Sequence, residues 1–216
     1  MKIISTNIGS KKTIQWRGKT ITTGIYKFPV NKPIFLENRV VRGDHINNLK
    51  VHGGLDKACY GYGENYYDYW KSLYPDLEWS HGMFGENLTI SNVDEANIKI
   101  GDIYKVGEVI LQVSQPRQPC NKLSARFHAT KIINEFIEFE HPGIYFRVIQ
   151  AGHVKIGDEI KLDLRNEKAL TVLQIYQLLY SKRTANTEMA MKALNDPNLS
   201  ASSKKEIQRH WKLKIT

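Results

Sequence analysis

Only two cysteines, Cys59 and Cys120, occur in the 216 residues. They are too few for the disulfide framework of small secreted domains, and a reducing cytosol would leave both as free thiols. There is no Cys-x-x-Cys, and the seven histidines show no ligand spacing, which argues against a structural zinc site. No apolar run approaches the roughly 20 residues that cross a bilayer. The opening Met1-Lys2-Ile3-Ile4-Ser5-Thr6-Asn7 has no long apolar stretch of the kind secretion signals carry. These absences lead us to expect a cytoplasmic protein. Acidic residues are also in deficit: 22 Asp and Glu face 31 Lys and Arg, for a formal charge of +9. The excess gathers late in the chain, where Arg165 to Thr216 carries ten basic residues against four acidic ones.

What remains is an ordinary globular composition, 41% apolar and 25% charged. From Ile3 to Leu164, short runs rich in Val, Ile, Thr and aromatics are broken by Gly, Asn, Asp and Pro at intervals of about ten residues, the rhythm of a β-barrel or sandwich. Strands are expected at Ile21 to Lys27, Asn87 to Ile90, Ile103 to Val106, Val109 to Ser114, Ile144 to Ile149 and Glu159 to Leu164. Ile100-Gly101-Asp102 and Ile156-Gly157-Asp158 are read as turns in which glycine permits a positive φ. A helix is expected from Glu64 to Tyr74, where Tyr66, Tyr69, Trp70 and Leu73 make an aromatic stripe for the core. After Arg165 the period turns helical. Leu173, Ile175, Tyr176 and Leu179 mark one helix, Met189, Ala190, Ala193 and Leu194 a second, and Ile207 with Trp211 a third, with Ser203 and Glu206 offering it a capping box. The fold class is therefore mainly β with helices (α+β), divided into a body of residues 1–164 and a three-helix unit of residues 165–216. A unit of about fifty residues has a marginal core of its own, so the helices should lean on the body.

The stretch Pro116-Arg117-Gln118-Pro119-Cys120 holds the most chemistry. Two prolines stiffen the backbone, so the loop can aim a side chain. Asn121 to Glu140 reads as one helix with Leu123, Phe127, Ile133, Phe136 and Ile137 as its apolar face. Cys120 would then sit at a helix N-terminus beside Arg117, where positive charge favours the thiolate that attacks electrophiles and binds metals. Two further constellations could serve a ligand. His52-Gly53-Gly54-Leu55-Asp56-Lys57-Ala58 exposes backbone N–H groups suited to an anion, though taken alone it reads first as a tight turn with a surface histidine. Met83-Phe84-Gly85-Glu86-Asn87-Leu88-Thr89 places a carboxylate and an amide at the start of a strand, to hold a polar ligand or only their own turn. Cys59 reads as a small buried hydrophobe.

Taken in order, His-Gly-Gly-x-Asp-Lys-Ala, the aromatic helix, Phe-Gly-Glu-Asn-Leu, Ile-Gly-Asp, Gln-Pro-Arg-x-Pro-Cys and Gly143-x-Tyr145-x-Arg147-Val148 resemble the MOSC domain, the C-terminal domain of molybdenum cofactor sulfurases. Among its branches the chain is most similar to the bacterial YiiM-like one. The match runs from about Trp16 to Leu164, and the basic tail resembles that branch's three-helix extension. The resemblance implies a β-barrel whose mouth holds a molybdopterin-type molybdenum cofactor. By the same resemblance Cys120 is the metal ligand and catalytic sulfur, Arg117 partners anionic groups of the cofactor, Asn87 contacts the pterin, and Lys27 reaches the phosphate. His52 and Lys57 fall in the cavity motif. Cys59 and Ile144 depart from the usual pattern, which has a small aliphatic and an aromatic residue there.

A soft thiolate suits a thiophilic metal, and cationic groups suit a cofactor bearing a phosphate and a dithiolene. The activity implied is reduction of N-hydroxylated small molecules such as N-hydroxylated purines or hydroxylamines to amines. Electrons would come from a separate reductase, since no flavin or iron–sulfur motif is visible, and the basic tail could dock an acidic one. Two alternatives use the same residues differently: a cofactor carrier or sulfur-transfer protein with Cys120 as ligand or persulfide donor, and a nucleic-acid-binding module resting on the tail's charge alone.

Overall fold

The computed structural model describes residues 1–47, 53–181 and 185–213. Eight strands form one mixed sheet in the order β12-β8-β9-β10-β6-β7-β1-β4. They are β1 (Ile3–Gly9), β4 (Lys27–Pro29), β6 (Cys59–Gly63), β7 (Leu88–Ile90), β8 (Ile103–Val106), β9 (Val109–Pro116), β10 (Ile144–Gln150) and β12 (Lys161–Leu164). The ladders are antiparallel except between β6 and β7, where Gly61 pairs with Leu88. Two small ladders flank the sheet: β2 (Lys12–Trp16) with β3 (Lys19–Thr23), and β5 (Ile34–Leu36) with β11 (Gly152–Val154).

The α+β class holds, but the closure implied by a barrel is not made by ladders. The outermost strands, β12 and β4, do not pair with each other among the described residues. The sheet curls, and an isolated bridge between Lys2 and Glu159, with Ile3 N–H donating to Asp158 O at 2.9 Å, joins the start of β1 to the lead-in of β12.

The expected strands appear, with one broken. Ile21 to Lys27 divides into the end of β3 and the start of β4, because the chain turns at Gly24. A Cβ at Gly24 would lie 1.8 Å from His45 O, so only glycine lets the residue 44–45 loop close against this turn. Gly101 and Gly157 take φ of 83° and 93°, as the two Ile-Gly-Asp turns require.

Six α-helices occur among the described residues: α1 (Tyr67–Leu73), α2 (Asn121–Arg126), α3 (Ile132–Phe139), α4 (Val172–Tyr180), α5 (Thr187–Asn195) and α6 (Ala201–Trp211). The single helix expected from Asn121 to Glu140 is therefore two. His128 takes φ 52° just after α2, which ends its hydrogen-bond ladder and lets Phe127 and Phe136 both turn inward to the same aromatic cluster. Within the aromatic stripe Trp70 is fully buried and Tyr66 nearly so, but Tyr69 and Leu73 are exposed, because α1 packs by one narrow face. The capping box sits on α4, where Thr171 and Gln174 satisfy each other's backbone, and α6 is capped one turn earlier than expected, by Ser200.

The last three helices do lean on the sheet. Ile175, Leu178, Leu194 and Ile207 belong to the same buried cluster as Val113, Phe136 and Phe146 of the body. Polar clamps add to this packing. Arg147 Nε donates to Asp56 Oδ1 at 2.7 Å, and its Nη1 reaches Asn198 O at 2.8 Å, while Asp102 accepts from Arg165 Nη1 at 3.0 Å.

Candidate functional site

Strand β9 ends at Pro116, and the next four residues cross the mouth of a cleft before α2 begins. This cleft, open to solvent, is lined by residues from six stretches of the chain. Lys27 comes from the start of β4, Asp44 from the loop closed against Gly24, Lys57 from the short turn before β6, and Asn87 from the residue that leads into β7. Arg117 and Cys120 come from the proline-framed loop. Five of the six proposed site residues therefore meet in one hollow, and the sixth, His52, lies outside the described residues.

Their environments differ. Cys120 takes an extended backbone at the N-cap of α2 and is partly exposed, whereas Cys59 is wholly buried in β6, where desolvation pushes its thiol pKa upward. The two sulfurs thus divide into an accessible one and a core one. Arg117 is buried, with its guanidinium 4.9 Å from the Phe136 ring centroid and 5.7 Å from that of Tyr60. Its Nη2 donates weakly to Phe84 O at 3.4 Å, and its Nη1 has no hydrogen-bond partner. A buried cation with an unused donor is costly unless an anion completes it. Lys57 carries a lowered pKa, chiefly because burial disfavours its charge, with Asp56 and Cys120 opposing that shift. Cys120 also acts electrostatically on Arg117, so both cations lie within reach of the sulfur.

Two expected contacts are already committed within the wall. The Lys27 ammonium is ion-paired with the Asp44 carboxylate, and both side chains are nearly inaccessible. Asn87 Nδ2 donates to Asp44 Oδ2 at 3.1 Å and to Asn7 O at 3.3 Å, while its Oδ1 accepts from Tyr60 N at 3.3 Å. Asn87 shapes the wall with its donors spent. Glu86, weighed as a ligand contact, is structural: it is fully buried and accepts from Gly82 N, Phe84 N, Thr89 Oγ1 and the Tyr67 hydroxyl.

Sequence reasoning passed over Asp44 and gave Tyr145 no role. Strand β10 alternates, burying Ile144, Phe146 and Val148, and so turns Tyr145 and Arg147 to the opposite face. Arg147 becomes the clamp on Asp56, while Tyr145 lines the cleft beside Tyr60, with ring centroids 5.1 Å apart. Burial raises the Tyr145 hydroxyl to about 12, against the lowering effect of Arg117. The period-2 pattern of β10 could have identified it.

The charge balance of the cleft is one-sided: among the described lining residues Lys27, Lys57, Arg117 and Lys122 face one carboxylate, Asp44. Such a hollow attracts anions. Among the described residues there is no cluster of three or more His, Cys, Asp or Glu that could hold a metal by protein ligands alone. A metal at Cys120 would therefore need most of its ligands from elsewhere.

The MOSC domain model matches residues 48–161, and the chain belongs to that family. It is 37% identical over 170 residues to uncharacterized protein YflK of Bacillus subtilis, covering 79% of this chain and 76% of that one. A protein of Gibberella moniliformis named "Reductase" is 34% identical over 172 residues, but the match spans only 30% of its length against 78% of this chain. The crystal structure of YiiM from Geobacillus stearothermophilus superposes with a TM-score of 0.80 at 32% identity, covering 97% of this chain and 98% of that one, which places the chain in the YiiM-like branch.

Proposed function

We propose that this protein is a molybdenum-cofactor-dependent reductase that converts N-hydroxylated compounds to the corresponding amines or amidines. The observation that carries the reading is the orphaned Nη1 of buried Arg117 in the same cleft as the accessible thiol of Cys120. MOSC domains are associated with the molybdenum cofactor, and the residues fit such a group. Cys120 would supply one soft ligand, and the lack, among the described residues, of a cluster of three or more His, Cys, Asp or Glu suits a metal whose remaining sulfurs come from a dithiolene. Arg117 would donate to the cofactor's anionic portion, and Lys57 and Lys122 would add charge around it. Lys27 and Asn87, held on Asp44, would act by fixing the wall rather than by direct contact.

When bound, the group would supply two-electron redox chemistry. In the overall reaction the N–O bond breaks, the nitrogen gains two electrons, and two protons leave the oxygen as water and the nitrogen as amine. A separate electron-donor protein provides the electrons. Lys57, with its proton loosened by burial and its charge felt by Cys120, would deliver one proton at the departing oxygen. Tyr145, neutral up to about 12, would hold a hydrogen bond to the same oxygen. The relative named "Reductase" agrees with the reaction class.

The test is turnover of an N-hydroxylated aminopurine by molybdenum-loaded protein with a chemical reductant. Amine formation that depends on Cys120 supports the reading. Stoichiometric molybdenum without turnover points instead to a carrier, and binding of nucleic acid that survives Cys120→Ala points to the charge-based alternative.

A further inference from the structure

The C-terminal helices build a second cleft against the first. It is lined by Gln118, Leu179, Tyr180, Glu206, Arg209 and His210, so α4 and α6 supply every wall residue but one among the described residues. Gln118 is that one, and it lines the cationic cleft as well. The two hollows are therefore neighbours that share one lining side chain, two positions from the thiol. Tyr180 is close enough to feel the charges of both Arg117 and Cys120.

The chemistry of this second hollow differs from that of the first. Among the described residues its acidic and basic groups balance, because Glu206 and Arg209 are ion-paired with each other. Leu179 and Tyr180 give an apolar and aromatic wall, and the Tyr180 ring is steadied by Tyr176 at a centroid distance of 4.8 Å. The Nε2 of His210 is buried with no hydrogen-bond partner. An anion gains nothing here over the cationic cleft next door. A neutral, flat molecule gains an aromatic surface, a carboxylate to receive its N–H groups, and a ring nitrogen of His210 as a further partner.

We propose that this cleft is the substrate subsite, taking a small planar amidine or amino-substituted nitrogen heterocycle whose N–OH group passes Gln118 toward Cys120. The proposal rests on the reading of the first cleft as the cofactor's. It gives the helical extension a role in catalysis: the cofactor lies in the body, and the helices hold the molecule that it reduces.

The test uses the full chain without cofactor and the fluorescent probe 2-aminopurine. Saturable quenching is expected, with affinity weakened about tenfold or more in both Glu206→Gln and His210→Phe. The first keeps the shape of the carboxylate and the second keeps the ring, and thermal melting of each variant confirms that the fold survives. Cys120→Ser should bind the probe as the wild type does. No quenching at millimolar probe overturns the proposal. So does equal binding by the two helix variants, or displacement of the probe by inorganic pyrophosphate, which belongs in the cationic cleft. Because the measurement needs no molybdenum, its failure is distinct from failure of the cofactor reading, which is decided by metal content.

Discussion

The Lys27 ammonium and the Asp44 carboxylate form an ion pair in which both side chains are almost completely withdrawn from water. Asp44 also accepts from Gly9 N at 2.8 Å, so this pair ties the end of β1 and the start of β4 to the 44–45 loop at the rim of the cleft. Lys27→Met leaves the carboxylate buried without its countercharge and should destabilise the protein by about 3 kcal/mol in urea unfolding. The double variant Lys27→Met, Asp44→Asn should recover most of that loss. A single-variant effect within about 0.5 kcal/mol of zero would show that water already screens the pair.

Arg117 predicts the opposite trade. Its guanidinium is buried with Nη1 unpartnered, so the unliganded protein carries a buried cation with a donor left over. Arg117→Met should leave the melting temperature unchanged or raise it, while cofactor retention falls about tenfold, roughly 1.4 kcal/mol. A variant that melts far lower yet holds molybdenum normally would make Arg117 a structural residue only.

Lys57 gives a pH signature. Burial lowers its pKa in the folded chain below the ordinary 10.5. The unfolded chain therefore binds this proton more tightly, and stability contributed by this group rises with pH between the folded value and 10.5. Below that window the burial penalty is present in full. Urea midpoints of wild type and Lys57→Met, compared from neutral pH to about pH 10, should shift in favour of the wild type as pH rises. A difference that stays constant with pH would remove Lys57 as the loosened acid.

The two cysteines should separate cleanly. Cys59 is packed in β6 with no access to the cleft, so Cys59→Ala should keep molybdenum and turnover while losing about 1 kcal/mol of stability from the small cavity it opens. Loss of metal in that variant, with the fold intact, would overturn the division between core thiol and site thiol.

Much of the site was legible because its parts lie on short contiguous motifs. Pro116 to Cys120 is stiff and carries its own cation, and Asn87 and Lys57 follow Gly85 and Gly54 by two and three residues, close to the glycines that mark loop ends. What stayed hidden is pairwise and long-range. Nothing in the local sequence around Lys27 or Asn87 shows that both end on Asp44, far from each in the chain. The strands that alternate or carry β-branched runs, such as β8 and β10, were readable, but β6, Cys59-Tyr60-Gly61-Tyr62-Gly63, is buried throughout and has no alternation to read. The break between α2 and α3 was likewise invisible, because the left-handed turn at His128 is imposed by packing Phe127 into the aromatic core rather than by a local stop signal. The helical tail was found as three helices, while the cleft between them and the cysteine loop depends on tertiary placement of Gln118.

The measurement that bears most directly on the account is the molybdenum content of wild type and Cys120→Ser, each purified from a molybdate-fed host, with melting curves alongside. The account predicts stoichiometric metal in the wild type and almost none in the variant, at equal thermal stability. Equal metal in both proteins would contradict it.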